Sequence, residues 1–185
     1  EGAETREIQP REQAVVLRAY PGPALHAADF YTGEVLDECL SGMASRLFER
    51  VREDKGLAYF VRSARVTGLR SGMFSFLAGT QPGKEAEVLA EIDAEIARVA
   101  AGGVEPAELA RCQARLKAAR QQSLQTPSAR ALQAGLNALQ GFDLNDWRQY
   151  DAKVEGVSGA MLAAFARERL RPELALQLVV RPEAV

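Results

Sequence analysis

Strand-like runs occupy four places in this chain of 185 residues, at 13–18, 57–66, 73–78 and 174–180, and only the middle two are close neighbours. The first contains Ala14-Val15-Val16-Leu17 and ends at the Pro21-Gly22-Pro23 cluster. Leu57-Ala58-Tyr59-Phe60-Val61 and Met73-Phe74-Ser75-Phe76-Leu77-Ala78 flank the turn sequence Thr67-Gly68-Leu69-Arg70-Ser71-Gly72, which predicts an antiparallel hairpin. In the last run Leu174, Leu176, Leu178 and Val180 share one parity. Long helical patterns separate the first run from the second and the third from the last. Strands and helices therefore do not alternate as a doubly wound sheet requires. The order predicts an α+β fold: a mainly antiparallel sheet of about four strands with helices packed on one face.

Helix boundaries are marked by local chemistry. Phe30, Val35, Leu36, Cys39 and Leu40 follow helical spacing over 26–40, and Ser41-Gly42-Met43-Ala44 interrupts the pattern. A second helix begins near Ser45, with Leu47, Phe48 and Val51 as its apolar stripe, and Lys55-Gly56 ends it. Pro82 and Pro106 stand near the starts of two long helices, 83–101 and 106–125, separated by Gly102-Gly103, and these are expected to pack across the sheet. Their charges are opposite, acidic in the first and basic in the second, as in a solvated antiparallel pair with compensating charges. Thr126-Pro127 restarts a helix to about residue 139, and shorter ones follow near 146–155 and 158–170. Residues 1–12, polar and containing Pro10, are expected to be a linker or arm, leaving 13–185 as one domain. The first residues lack a signal-peptide pattern and an initiator Met, so a longer parent protein is expected.

The side-chain inventory excludes several chemistries. With 23 Lys+Arg against 25 Asp+Glu the chain has no cationic field for general nucleic-acid binding, and no run approaches the ~20 apolar residues of a membrane span. His26 is the single histidine, and Cys39 and Cys112 are far apart in sequence. A zinc site needs three or four protein ligands, so none is expected within this chain, and a His-based triad would depend on His26 alone. His26 reads as a surface or capping residue, and the cysteines as small buried hydrophobes. Neither phosphate-binding glycine motif occurs.

Positive charge is concentrated in one place. Arg46, Arg50, Arg52, Lys55, Arg62, Arg65 and Arg70 face only Glu49, Glu53 and Asp54 between residues 44 and 70. Within this segment Arg52 sits near a helix end and Tyr59 just inside the next strand, with Gly56 at the turn between them. A guanidinium there could hold a carbonyl or carboxylate, and a phenol could donate to a developing oxyanion. The same residues also suit purely structural roles: arginine complements a helix C-terminus, and tyrosine covers a sheet face.

Ser45-Arg46-Leu47-Phe48, Val51-Arg52-Glu53, Lys55-Gly56-Leu57-Ala58-Tyr59 and Gly103-Val104-Glu105-Pro106-Ala107-Glu108-Leu109 together resemble the C-terminal homologous domain of the M16 zinc metallopeptidases, the family of pitrilysin, insulinase and mitochondrial processing peptidase. The resemblance runs from about residue 13 to 182, and Gln113 stands where many relatives carry Lys. It implies a LuxS/MPP-like metallohydrolase fold and a chamber formed by two similar α+β domains. The zinc motif of such a chamber, H-x-x-E-H, belongs to the other domain. The resemblance places a substrate-binding Arg at Arg52, holding a peptide carbonyl, and a catalytic Tyr at Tyr59, assisting the oxyanion. It thus implies the non-zinc, substrate-binding half of a metalloendopeptidase, inactive alone, whose partners are a zinc-bearing N-terminal half or subunit and a peptide substrate. No cofactor is implied in this chain, zinc being implied in the partner domain. The alternative is a non-catalytic scaffold or partner subunit of the same fold.

Overall fold

The computed structural model describes residues 3–9, 12–41 and 45–182. Among the described residues five strands form one sheet: β1 (Ala3–Gln9), β2 (Ala14–Gly22), β3 (Ala58–Thr67), β4 (Gly72–Thr80) and β5 (Leu176–Pro182), in the order β1-β5-β2-β4-β3. Three of the pairings are antiparallel and β1 runs parallel to β5. The sheet is therefore mainly antiparallel, as the order of elements predicts, but it has one strand more than the expected four. The additional strand comes from the segment expected to be a linker or arm: residues 3–9 pair in register with 176–182, for example Thr5 with Leu178. A polar strand with one apolar side chain in view, Ile8, gives little periodic signal, because an edge strand needs a partner's backbone more than a buried face. The start of the segment expected to break the first helix, Ser41, is a bend; Gly42, Met43 and Ala44 lie outside the described residues.

β2 also extends past its expected stop. Pro21 and Gly22 remain paired with Met73 and Gly72 of β4, whereas pairing with β5 ends at Ala19, so the donor that Pro21 lacks has no strand waiting for it on that side. The hairpin of β3 and β4 is the one predicted.

The helices are α1 (Phe30–Leu40), α2 (Arg46–Phe48, continuing as a π-helical segment, Glu49–Asp54), α3 (Glu85–Ala100), α4 (Pro106–Ser123), α5 (Pro127–Leu139), α6 (Tyr150–Glu155) and α7 (Gly159–Arg169). Register puts Tyr20, Val61, Phe74, Phe76 and Ala78 on the same sheet face, and all are buried. Against this face pack Val35, Leu36 and Leu40 of α1, Val88 and Ile92 of α3, and Leu162 and Phe165 of α7, forming one core. Only the first of the two long helices lies on the sheet. α3 packs on β2, β4 and α7, while α4 packs on α1 and α6, one layer farther out. Sequence explains the difference: α3 buries Val88, Leu89, Ile92, Ile96 and Val99 on one stripe, whereas α4 buries only Glu108 and Cys112. Gln113 ties α4 to the end of α6 by donating to the carbonyls of Val154 and Val157 at 3.0 and 2.9 Å.

The charges of the two long helices are neutralised mainly by other elements. Asp93 pairs with Arg18, Glu85 with Arg181, Arg115 with Glu38 and Lys117 with Glu155; the link between α3 and α4 is Arg98, 3.5 Å from Glu108.

Candidate functional site

The positively charged junction is built on a helix that begins and ends where its sequence requires. Ser45 caps α2 by accepting from the backbone N–H of Phe48 at 3.2 Å. The π-helical segment that follows carries Arg52. It stops at Gly56, whose φ of +57° lies in the left-handed region that favours glycine. Gly56 donates to the Arg52 carbonyl and Leu57 to the Val51 carbonyl, at 3.2 and 2.8 Å, so the turn locks the helix end to the start of β3.

Arg52 is exposed and its guanidinium lies over the Phe48 ring, 5.1 Å from the centroid. It has no acidic partner among the described residues. Tyr59 is 51% exposed, and its hydroxyl makes no hydrogen bond among the described residues. The two side chains therefore flank one locked turn, each with its polar end uncommitted, and no hydrogen bond joins them.

Tyr59 owes its exposure to a feature that alternation does not predict. Ala58 pairs with Thr80 and Phe60 with Gly79, leaving Tyr59 as the extra residue of a β-bulge. The bulge turns two consecutive aromatics, Tyr59 and Phe60, away from the helices, after which Val61 and Ser63 return to the buried face. Gly79 makes room for this arrangement, because a Cβ there would lie 2.3 Å from Phe60 Cε1. The sequence signal for the bulge is the consecutive pair Tyr59-Phe60 at the start of a run whose later residues alternate.

The seven basic residues of the junction divide into two groups. Arg50 and Lys55 grip Glu91 of α3 at 2.9 and 2.5 Å, and Arg65 turns beneath α1, donating to the Phe30 carbonyl at 3.1 Å and lying 3.9 and 4.0 Å from Glu34 and Asp37. Arg46, Arg52, Arg62 and Arg70 are exposed without an acidic partner among the described residues. The site-bearing segment is thus pinned to α3 by one carboxylate while part of its positive charge stays available.

The hydrogen bond from Lys55, reinforced by Arg50, holds the Glu91 carboxyl below its usual 4.5. A carboxyl with a lowered native pKa adds stability that is present above its unfolded pKa and lost as pH falls through the native value. The stability difference between the parent and Glu91→Gln is therefore expected to be constant near neutrality and to shrink below pH 4.5, as read by urea unfolding across that window. A difference that stays flat to about pH 3 would remove this pairing from the account.

A more enclosed cavity, of about 320 Å³, lies away from the junction among α1, α4, α5 and α6, with Tyr31, Glu34, Arg120, Trp147 and Tyr150 in its wall. Tyr150 donates to Glu34 at 3.1 Å, and burial pushes both the Glu34 carboxyl and the Tyr150 phenol up. Sequence reading does not anticipate it, because its wall is assembled from segments far apart in the sequence. His26 stands at its rim, exposed, with Nε2 2.8 Å from the Gln140 carbonyl and its ring stacked on Phe142 at 4.4 Å. Among the described residues no group of three His, Cys, Asp or Glu side chains is placed to hold a metal, so the donor set does not fit a zinc site. No helix among them is long and apolar enough to cross a membrane.

The family model described as "Peptidase M16 inactive domain" matches residues 1–116. The chain belongs to this M16 family. It is 31% identical over 168 residues to an "uncharacterized zinc protease" of Streptomyces coelicolor, covering 89% of this chain and 37% of that protein. It is 32% identical over 129 residues to the zinc protease YmxG of Bacillus subtilis, covering 69% and 32%. The M16 chain thus spans about a third of the length of these curated relatives. Among solved structures, a protease from Helicobacter pylori superposes with a TM-score of 0.88 at 24% identity, over 98% of this chain and 44% of that one. A peptidase M16 inactive domain from Pseudomonas fluorescens gives 0.83 at 17% identity, over 100% and 44%. At these identities the structural likeness establishes the M16 fold.

Proposed function

We propose that this M16 inactive domain is the substrate-binding, non-zinc half of a zinc-dependent metalloendopeptidase, completed by an N-terminal half or subunit that carries the metal. The observation that carries the reading is the pair Arg52 and Tyr59, exposed on either side of a locked turn, one lacking an acidic partner and the other a hydrogen-bond partner among the described residues. A scaffold has no need to hold a phenol out of its strand on a bulge. In this reading the Arg52 guanidinium donates to a carbonyl of the bound peptide, and the Tyr59 phenol donates to the oxygen that gains charge as the peptide bond is attacked. Their positions on a helix end and a strand, rather than a free loop, favour the fixed geometry such donors require.

The outer sheet face supports the existence of a partner. Register places Leu17, Phe60, Val66, Met73, Leu77 and Leu176 on the face opposite the helices, with Val66 60% and Leu176 50% exposed. Exposed apolar side chains on one sheet face, with Arg62 among them, suit an interaction surface. The occupant that fits is the zinc-bearing half, since this chain accounts for about a third of its curated relatives.

Mixing the chain with a zinc-bearing M16 half is expected to yield cleavage of an unstructured peptide that neither component cleaves alone, followed by mass spectrometry of the products. A complex that forms without cleavage would favour the scaffold reading.

A further inference from the structure

Cys39 and Cys112 are separated by most of the first half of the chain, yet the fold brings them to one place. Cys39 lies in the last turn of α1 and Cys112 in the second turn of α4, two helices that pack directly on each other. Both are buried, at 3% and 5% exposure, and both line a single cavity of about 10 Å³ whose remaining wall includes Ser41, Ser45, Glu108 and Arg111. That volume holds at most one water. Both cysteines thus line one small space that has no room for an organic ligand.

We infer that Cys39 and Cys112 form a reversible intramolecular disulfide that ties α1 to α4 when hydrogen peroxide is present. Each thiol bears on the ionisation of the other: Cys112, with burial adding to it, pushes the Cys39 thiol up, and Cys39 holds the Cys112 thiol below its usual range. In this scheme Cys112 is the sulfur that ionises and attacks. Its thiolate forms an S–O bond as the O–O bond of hydrogen peroxide breaks, giving a sulfenic acid and, after protonation, one water. Cys39 sulfur then attacks the Cys112 sulfur, the S–S bond forms, the S–O bond breaks, and the hydroxyl leaves with the Cys39 proton as a second water. The two sulfurs together lose two electrons, and the peroxide oxygens gain them. The bond would close a long loop through β3, β4 and α3, and Ser45, which caps the helix bearing Arg52, stands in the same cavity wall.

The test treats the reduced chain with hydrogen peroxide, removes the oxidant with catalase, and measures free thiols and intact mass after denaturation without reductant. The expected product is a monomer with no free thiol, lighter by two hydrogens, restored by dithiothreitol, and melting roughly 5–15 °C above the reduced form. Cys39→Ser and Cys112→Ser should each keep the remaining thiol free of any intramolecular bond and lose the shift in melting temperature. Two thiols still free, oxygen atoms added to one sulfur, or a disulfide-linked dimer as the product would each overturn the inference, and all three are read on the parent chain even if a serine variant fails to fold.

Discussion

Tyr59→Phe, assayed with a zinc-bearing M16 half, is expected to lower kcat by about 10²-fold, roughly 2.7 kcal/mol, if the proposed role holds and one donor to a developing oxyanion is removed. Substrate binding should change little, since a phenol in that role would strengthen its hydrogen bond only as charge appears. Arg52→Ala is expected to lower kcat/KM by about 10- to 100-fold, with a larger share in KM, because in the proposed role the guanidinium would also hold the ground-state carbonyl. Arg52→Lys should not restore it fully, a lysine being a point charge without the planar fork. Both side chains are exposed, so unfolding free energies should stay within about 0.5 kcal/mol of the parent. Steady-state kinetics beside urea unfolding separates the two effects: parent-like rates for both variants, within about twofold, would remove Arg52 and Tyr59 from the reaction.

Phe74→Ala carries the largest expected loss of stability, about 3–5 kcal/mol. Phe74 is fully buried in β4, with its ring centroid 5.6 Å from that of Phe76 and 5.9 Å from that of Phe165 on α7. Its removal opens a cavity where the sheet meets that helix, and neighbours held at both ends in regular elements can collapse only partly into it. Urea unfolding should show a lower midpoint with an unchanged slope, and the melting temperature should fall by roughly 6–20 °C. A loss under about 1 kcal/mol would mean that the contact between α7 and the sheet is not the centre of the core.

The site is a contrast between what is pinned and what is left free. Glu91 takes up Arg50 and Lys55, and α1 takes up Arg65, so three of the seven basic side chains serve the fold. An excess of basic residues read along the sequence therefore overstates the charge available to a ligand. What remains, Arg52 beside the turn together with Arg46, Arg62 and Arg70, is smaller and better defined than the run of charges from which it was recognised.

How much of this was legible beforehand follows the range of the forces involved. The β3–β4 hairpin, the cap at Ser45, the stop at Gly56 and the placement of Arg52 and Tyr59 around it depend on residues within a few positions of one another, and the sequence by itself determined them. The α+β class followed as well, because periodicity and the order of strands and helices are local properties. Only the tertiary structure decided that residues 3–9 form a fifth strand parallel to β5, that α4 packs on α1 and α6 instead of the sheet, that Glu91 collects two of the basic side chains, and that Cys39 meets Cys112. The bulge that exposes Tyr59 belongs with these, since it exists only in register against Gly79 and Thr80. Each joins segments remote in sequence, where the choice of partner is set by what the whole core can bury and by which backbone edges are left to pair.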